Sequence, residues 1–172
     1  ATQLPWNPAR TFSGCYRSDV LYFTTGTEAP PCDSTAWVAK AANRCAASAT
    51  SLANLGRYNG YALGWDADRQ RWDTLVAGDP ARPLECEADR GDDGERSSRF
   101  AANGPEGPYG PDDSAEPAWN TAYTLFDGNW LNWNTNPPTV VRSRLEIVQD
   151  VVSDIVRSID GVDPPLSEKP SD

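Results

Sequence analysis

Tyr123-Thr-Leu-Phe-Asp-Gly-Asn-Trp-Leu-Asn-Trp133, a proline break at Pro137-Pro138, and the run Val140–Ile159 decide how this chain folds. In the run, Val141, Leu145, Val148, Val152, Ile155 and Ile159 recur at alternating spacings of four and three, the pattern of one apolar helix face. Polar residues such as Arg142, Glu146, Gln149, Asp150, Asp154 and Arg157 fill the other face. The two prolines bar an earlier start, Thr139 can cap the helix, and Gly161 followed by Pro164-Pro165 ends it. Such a stripe needs a sheet or other helices to cover it. Phe126, Trp130, Leu131 and Trp133 are the residues expected to pack the strand-like segment before it against Leu145, Val148, Val152, Ile155 and Ile159.

Working outward, 172 residues allow one domain with a real core. The chain begins at Ala1 and contains no methionine, which reads as a processed product or a piece of something longer. No apolar run approaches the roughly 20 residues of a membrane span. A net charge of −10 argues against nucleic acid and anionic membrane surfaces as partners. Histidine is absent, which removes Ser-His-Asp and Cys-His catalysis, His-ligated zinc and histidine pH switching. Cys15, Cys32, Cys45 and Cys86 show no Cys-x-x-Cys spacing and read as two disulfides made in an oxidising compartment. Three pairings are open. Cys15–Cys32 with Cys45–Cys86 is favoured because each closes a consecutive loop.

Residues 1–35 read as an extended cysteine-bearing lobe in which Val20–Thr24 is the one strand. Residues 36–122 begin with a helix over 36–55, capped by Asp33, Ser34 or Thr35 and stopped at Gly56, and continue as an aromatic stretch and a long Pro/Gly-rich acidic loop. Residues 123–162 hold the Asn-Trp-rich segment and the amphipathic helix, and 163–172 a flexible tail. The expected class is α+β: two main helices, a few short strands and long ordered loops, stapled by disulfides.

Candidate chemistry is sparse. Asp89, Asp92, Asp93 and Glu95 could wrap a calcium ion, although their spacing misses the Asp-x-Asp-x-Asp-Gly pattern with a distal Glu; no other cofactor is expected. Arg90-Gly91-Asp92 is a tripeptide that adhesion receptors read on a displayed loop. Trp65 and Trp72 could stack on a sugar, although tryptophans of this kind more often fill a core. No carboxylate pair stands in an apolar setting and no glycine-rich phosphate cradle leads into a helix, so nothing points to an enzyme.

The stretch from Tyr123 to Trp133, followed by Arg144-Leu-Glu-Ile-Val-Gln-Asp-Val151, resembles the N-terminal region of PilY/PilC-type proteins of type IV pili. There an aromatic, Gly-Asn, aromatic, Leu-Asn-Trp segment precedes a helix beginning Arg-Leu-Glu/Asp-Ile-Val. Tyr58-Asn-Gly-Tyr61, Trp65, Arg71-Trp72-Asp73 and Cys86 with Ala88-Asp89 and Gly94 extend the resemblance over most of residues 10–162. It implies a secreted, non-enzymatic module of a pilus-tip protein, exported through the bacterial periplasm and acting in surface adhesion, pilus assembly and twitching motility. Its partners would be minor pilins, other tip components and a host or surface receptor. The segment would belong to a von Willebrand factor A-like domain, as a cysteine-bearing insertion plus the domain's first main helix. The Asp-x-Ser-x-Ser metal loop of such domains has no counterpart here, so metal-dependent adhesion does not follow. The alternative function is a secreted carbohydrate-binding module using exposed tryptophans. An apolar stripe left exposed on the 140–160 helix would also favour self-association.

Overall fold

The computed structural model describes residues 2–69, 71–79, 81–89, 118–141, 148–149 and 151–156. The chain divides into two units, Pro5–Pro137 and a second made of Ala1–Leu4 with Pro138–Asp172.

The larger unit is built on an antiparallel sheet. Val20–Thr24 (β2) and Ala122–Asp127 (β7) are runs of β-branched, aromatic and leucine residues, and they pair side by side with Leu21 opposite Asp127 and Phe23 opposite Leu125. Trp37–Ala39 (β3) adds to the free edge of β2, and Arg57–Asp66 (β4) to the other edge of β7. The far half of β4 carries Arg71–Asp73 (β5) and Leu84–Cys86 (β6). The order is β3-β2-β7-β4-β5, with β6 also on β4.

Strand alternation sends neighbouring side chains to opposite faces, and here both faces are covered. Leu21, Phe23, Tyr123 and Leu125 point to one side, where they meet Val38, Leu52, Ala62, Leu75, Leu84 and the Cys45–Cys86 bridge. Val20, Tyr22 and Phe126 point to the other, where they meet Leu131, Trp130, Tyr16 and Trp37. Each large apolar side chain fully buried contributes roughly 1.5–3 kcal/mol, so the two clusters dominate the stability of this unit.

Two helices cover the faces. Ala46–Leu55 (α1) lays Leu52 on the first cluster, and Gly128–Thr135 (α2) lays Leu131 on the second. The expected helix over 36–55 is therefore ten residues too long. Trp37 and Val38 are drawn into the edge strand by pairing with Tyr22 and Leu21. Asn43 then accepts the Cys45 amide, and the Cys45 sulfur accepts the Ser48 amide, so the helix is capped at Cys45 instead of at residues 33–35. Its end is as expected. Gly56 closes it in the left-handed region at φ 71°, donating to the Leu52 carbonyl at 2.9 Å.

The class is mixed α and β with two disulfides, as expected, and the bridges are Cys15–Cys32 and Cys45–Cys86, with Cα atoms 5.7 and 5.4 Å apart. The strand content exceeds the sequence reading. β2 lies between β3 and β7 and not in a hairpin lobe of its own.

In the second unit Thr2–Gln3 (β1) pairs antiparallel with Thr139–Val140 (β8), and the Leu4 amide donates to the Pro138 carbonyl. Thr139 is thus a strand residue and not a helix cap. Residues 148–149 and 151–156 are helical, and Val148, Val151, Val152, Ile155 and Val156 are all about half exposed. Among the described residues no helix is long and apolar enough to cross a membrane.

Candidate functional site

The Asp127–Trp133 motif, expected to be strand-like, turns from β7 directly into α2 because Asp127 caps it. Its carboxylate accepts the Asn129 and Trp130 amides at 2.8 and 3.3 Å. The same carboxylate accepts the Lys40 ammonium at 2.8 Å, and that ammonium also donates to the Ser18 carbonyl. A side chain at position 128 would collide with the Arg17 carbonyl, so glycine is the residue that lets residues 10–17 pass beneath the helix.

Two buried asparagines hold that passing segment by its backbone. Asn129 accepts the Phe12 amide at 2.7 Å and donates to the Arg10 carbonyl at 2.6 Å. Asn132 accepts the Tyr16 amide at 2.9 Å and donates to the carbonyls of Phe12 and Tyr16 at 3.1 and 2.9 Å. A primary amide offers both an acceptor and two donors, and only that combination satisfies amide and carbonyl groups of one buried loop at once. The motif tryptophans continue outward as a chain of rings: Phe126 to Trp130, Trp130 to Trp133, Trp133 to Trp6, and Trp6 to Phe12, with centroids 5.8 to 6.4 Å apart. Phe126, Trp130 and Leu131, expected to pack against the 140–160 helix, pack on Val20, Tyr22, Tyr16 and Trp37. Val148, Val152 and Ile155, their expected partners, are exposed, while Leu145 and Ile159 lie outside the described residues.

A second feature sits at the far end of the β4–β5 hairpin. Trp65, Asp66, Asp68, Asp79, Arg82 and Pro83 line most of an open cavity of about 340 Å³. Asp66 ends β4 and is 6% exposed. One of its oxygens accepts the Asp68 and Arg69 amides at 3.1 and 3.0 Å, forming the hairpin turn. Its other oxygen lies 3.4 Å from the Arg82 guanidinium and 3.8 Å from that of Arg69. The Arg69 amide, ahead of the Arg82 and Arg69 charges, holds the Asp66 carboxyl below the usual carboxylate range. Arg82 also donates through Nε to Asp79 at 2.7 Å. Asp73, beside Arg71 and Arg69, is likewise held low, chiefly by the Thr74 amide. The cavity wall thus carries three carboxylates, Asp66, Asp68 and Asp79, and one guanidinium, Arg82, with Arg69 paired to Asp66 from outside the lining.

Of the residues singled out from sequence, Trp65 is 4% exposed and meets Trp72 edge-on with centroids 5.4 Å apart. Cross-strand pairing of the two positions turns the indoles on each other, so Trp65 is not an exposed sugar platform. Asp89 closes a 3₁₀ turn over Glu87–Asp89. Arg90, Gly91, Asp92, Asp93 and Glu95 lie outside the described residues. Cys45, Glu85 and Cys86 bring three potential metal-ligand atoms within 4.8 Å, but the two sulfurs are bonded to each other and offer no thiolate. Sequence reasoning passed over Asp66, Asp79, Arg82 and Lys40. For Asp66 a signal existed: an aspartate directly after an apolar strand and two residues before another aspartate is turn chemistry.

Comparison with protein-family models, with curated proteins and with solved structures returns no match.

Proposed function

We propose that the chain is a non-catalytic module of a type IV pilus tip-associated protein, acting in surface adhesion, pilus assembly and twitching motility. One observation carries this reading. Three parts of the sequence that carry the resemblance, Tyr58–Asp73, Cys86 and Tyr123–Trp133, lie around two adjacent strands, β4 and β7. Tyr58-Asn-Gly-Tyr61 pairs with β7 in register, with Asn59 donating to Thr124 at 2.8 Å. Trp65 faces Trp72 across β4 and β5, Cys86 in β6 pairs with Ala62 of β4, and Asp127–Trp133 continues β7 into α2.

On this reading the two bridges suit assembly in an oxidising compartment, extracellular or periplasmic. Minor pilins, other tip components or a surface receptor would bind through loops carried on the stapled sheet. Val148, Val151, Val152, Ile155 and Val156, about half exposed, would face either the remainder of a von Willebrand factor A-like domain or a second copy. Immunogold labelling of native cells with an antibody against this chain tests the proposal. Gold at pilus ends is expected; antigen free in the medium, with no gold on pili, overturns it.

A further inference from the structure

We propose that the cavity at the end of the β4–β5 hairpin is a binding site for a neutral saccharide. The claim stands apart from the pilus reading, because it rests on the chemistry of the cavity wall. At about 340 Å³ the cavity falls at the lower end of small-molecule sites, room for about one sugar unit with part of it in solvent.

The wall decides the ligand class. Arg82 is 16% exposed and lies between Asp79, at 2.7 Å through Nε, and Asp66, at 3.4 Å through Nη2. It is thereby fixed in one orientation, with Nη1 still able to donate. Both Asp66 oxygens are committed, one to backbone amides and one to guanidinium groups. What remains for a ligand is Oδ1 of Asp79, the exposed Asp68 carboxylate and the Nη1 edge of Arg82, with Pro83 as apolar wall. A bare metal ion would sit beside the fixed Arg82 guanidinium, and the three carboxylate oxygens left open fall short of the roughly six to eight oxygens calcium takes. An anion would meet Asp68 and Asp79. A hydroxyl both donates and accepts, so adjacent hydroxyls can give protons to the carboxylates while receiving one from Arg82, as the C–H face of the ring lies on Pro83. The pre-set ion pairs mean that little side-chain ordering is left to oppose binding.

The test is a printed array of neutral mono- and oligosaccharides probed with the whole chain, followed by calorimetric titration of the methyl glycoside of the strongest hit. Binding is expected, with little change between low and high salt because the ligand carries no charge. Asp79→Asn and Asp68→Asn should each weaken it by about tenfold, as loss of a charged hydrogen-bond partner does. Asp68 is exposed, so D68N should leave the unfolding midpoint where it was and isolate the contact from the fold. Absence of binding to any neutral saccharide at ~10 mM overturns the proposal, since such affinity is below that of a useful site. So does binding that both variants leave intact, or binding confined to charged ligands with a steep salt dependence. Gold at pilus ends without saccharide binding would leave the pilus reading standing and remove this one; the converse result would do the reverse.

Discussion

Replacing Asn132 by Asp changes one NH₂ to one oxygen and should be among the most damaging isosteric changes in the chain. Asn132 is 3% exposed and spends its two donors on the Phe12 and Tyr16 carbonyls and its oxygen on the Tyr16 amide. An aspartate keeps the amide contact but turns an oxygen towards two carbonyl oxygens. Two lost hydrogen bonds cost about 2 kcal/mol net, and burying a carboxylate against acceptors adds more, for a total of roughly 3–5 kcal/mol at pH 7. That is a large share of a domain's usual 5–15 kcal/mol. Burial and the facing carbonyls raise the carboxyl's folded pKa above its unfolded value near 3.9. The folded state of the variant then binds the extra proton, and a protonated carboxyl recovers one donor. The deficit relative to wild type should therefore shrink as pH falls from 7 towards 4.

Urea unfolding followed by tryptophan fluorescence, with the disulfides oxidised, measures this difference. With a slope of about 1–3 kcal/mol/M, the midpoint should drop by about 2 M at pH 7 and by less than half that near pH 4. Asn132→Ala should lose a comparable amount at both pH values, since it has nothing to titrate. A midpoint for N132D close to wild type at pH 7, or a deficit that does not change with pH, would refute the reasoning that the amide is a two-way clamp.

Gly56→Ala should cost about 2–4 kcal/mol, combining a left-handed backbone with a methyl group overlapping the Trp130 indole, whereas Gly78→Ala, at φ 83° with no atom within 4 Å, should cost only about 1 kcal/mol; thermal midpoints compare the two. Replacing Cys45 and Cys86 together by Ser should cost about 4 kcal/mol on chain entropy alone, against about 3 kcal/mol for the shorter Cys15–Cys32 loop. Because Cys45 and Cys86 are fully buried and Cys15 is exposed, mild reduction followed by alkylation and mass spectrometry should label 15 and 32 first. Asp66, whose folded pKa is depressed by the Arg69 amide and the two guanidinium groups, adds stability that is complete above its unfolded value and lost as pH falls through the lower folded one. Asp66→Asn should accordingly flatten the decline in urea midpoint below about pH 4, a change visible in a titration from pH 5 to 2.

Some of this architecture was legible and some was not, for reasons that differ by residue. Val20–Thr24 was readable because β-branched and aromatic residues run together, and the stop at Gly56 because glycine alone ends a helix in the left-handed region at no steric cost. The disulfide pairing followed from loop order. β4 was hidden because its first half faces solvent on alternate residues and its last five residues are all buried, so no single period runs through it. The helix over 36–55 was over-read because alanine-rich sequence has high helix propensity, and propensity yields to pairing when an edge of β2 is free. The cavity was illegible because Asp66, Asp79 and Arg82 are brought together by the β4–β5 hairpin and the loop after it, and neither register is set by the residues themselves.

The Asp127–Trp133 motif shows why a conspicuous sequence need not mark a reactive site. Asp127 caps the helix, Gly128 admits the Arg17 carbonyl, Asn129 and Asn132 hold residues 10–17, Leu131 enters the core, Trp130 covers Gly56, and Trp133 reaches Trp6. Six of the seven residues are committed to internal contacts whose loss is costly, and the seventh is the glycine that makes room for them. A segment used in this way serves first as scaffold, with only Trp130 and Trp133 of its large side chains part-exposed. Side chains with uncommitted polar atoms lie elsewhere, those of Asp68, Asp79 and Arg82 at the hairpin end among them. The motif fixes the scaffold, and on the saccharide proposal ligand specificity would lie at the hairpin end, where Asp68 is exposed.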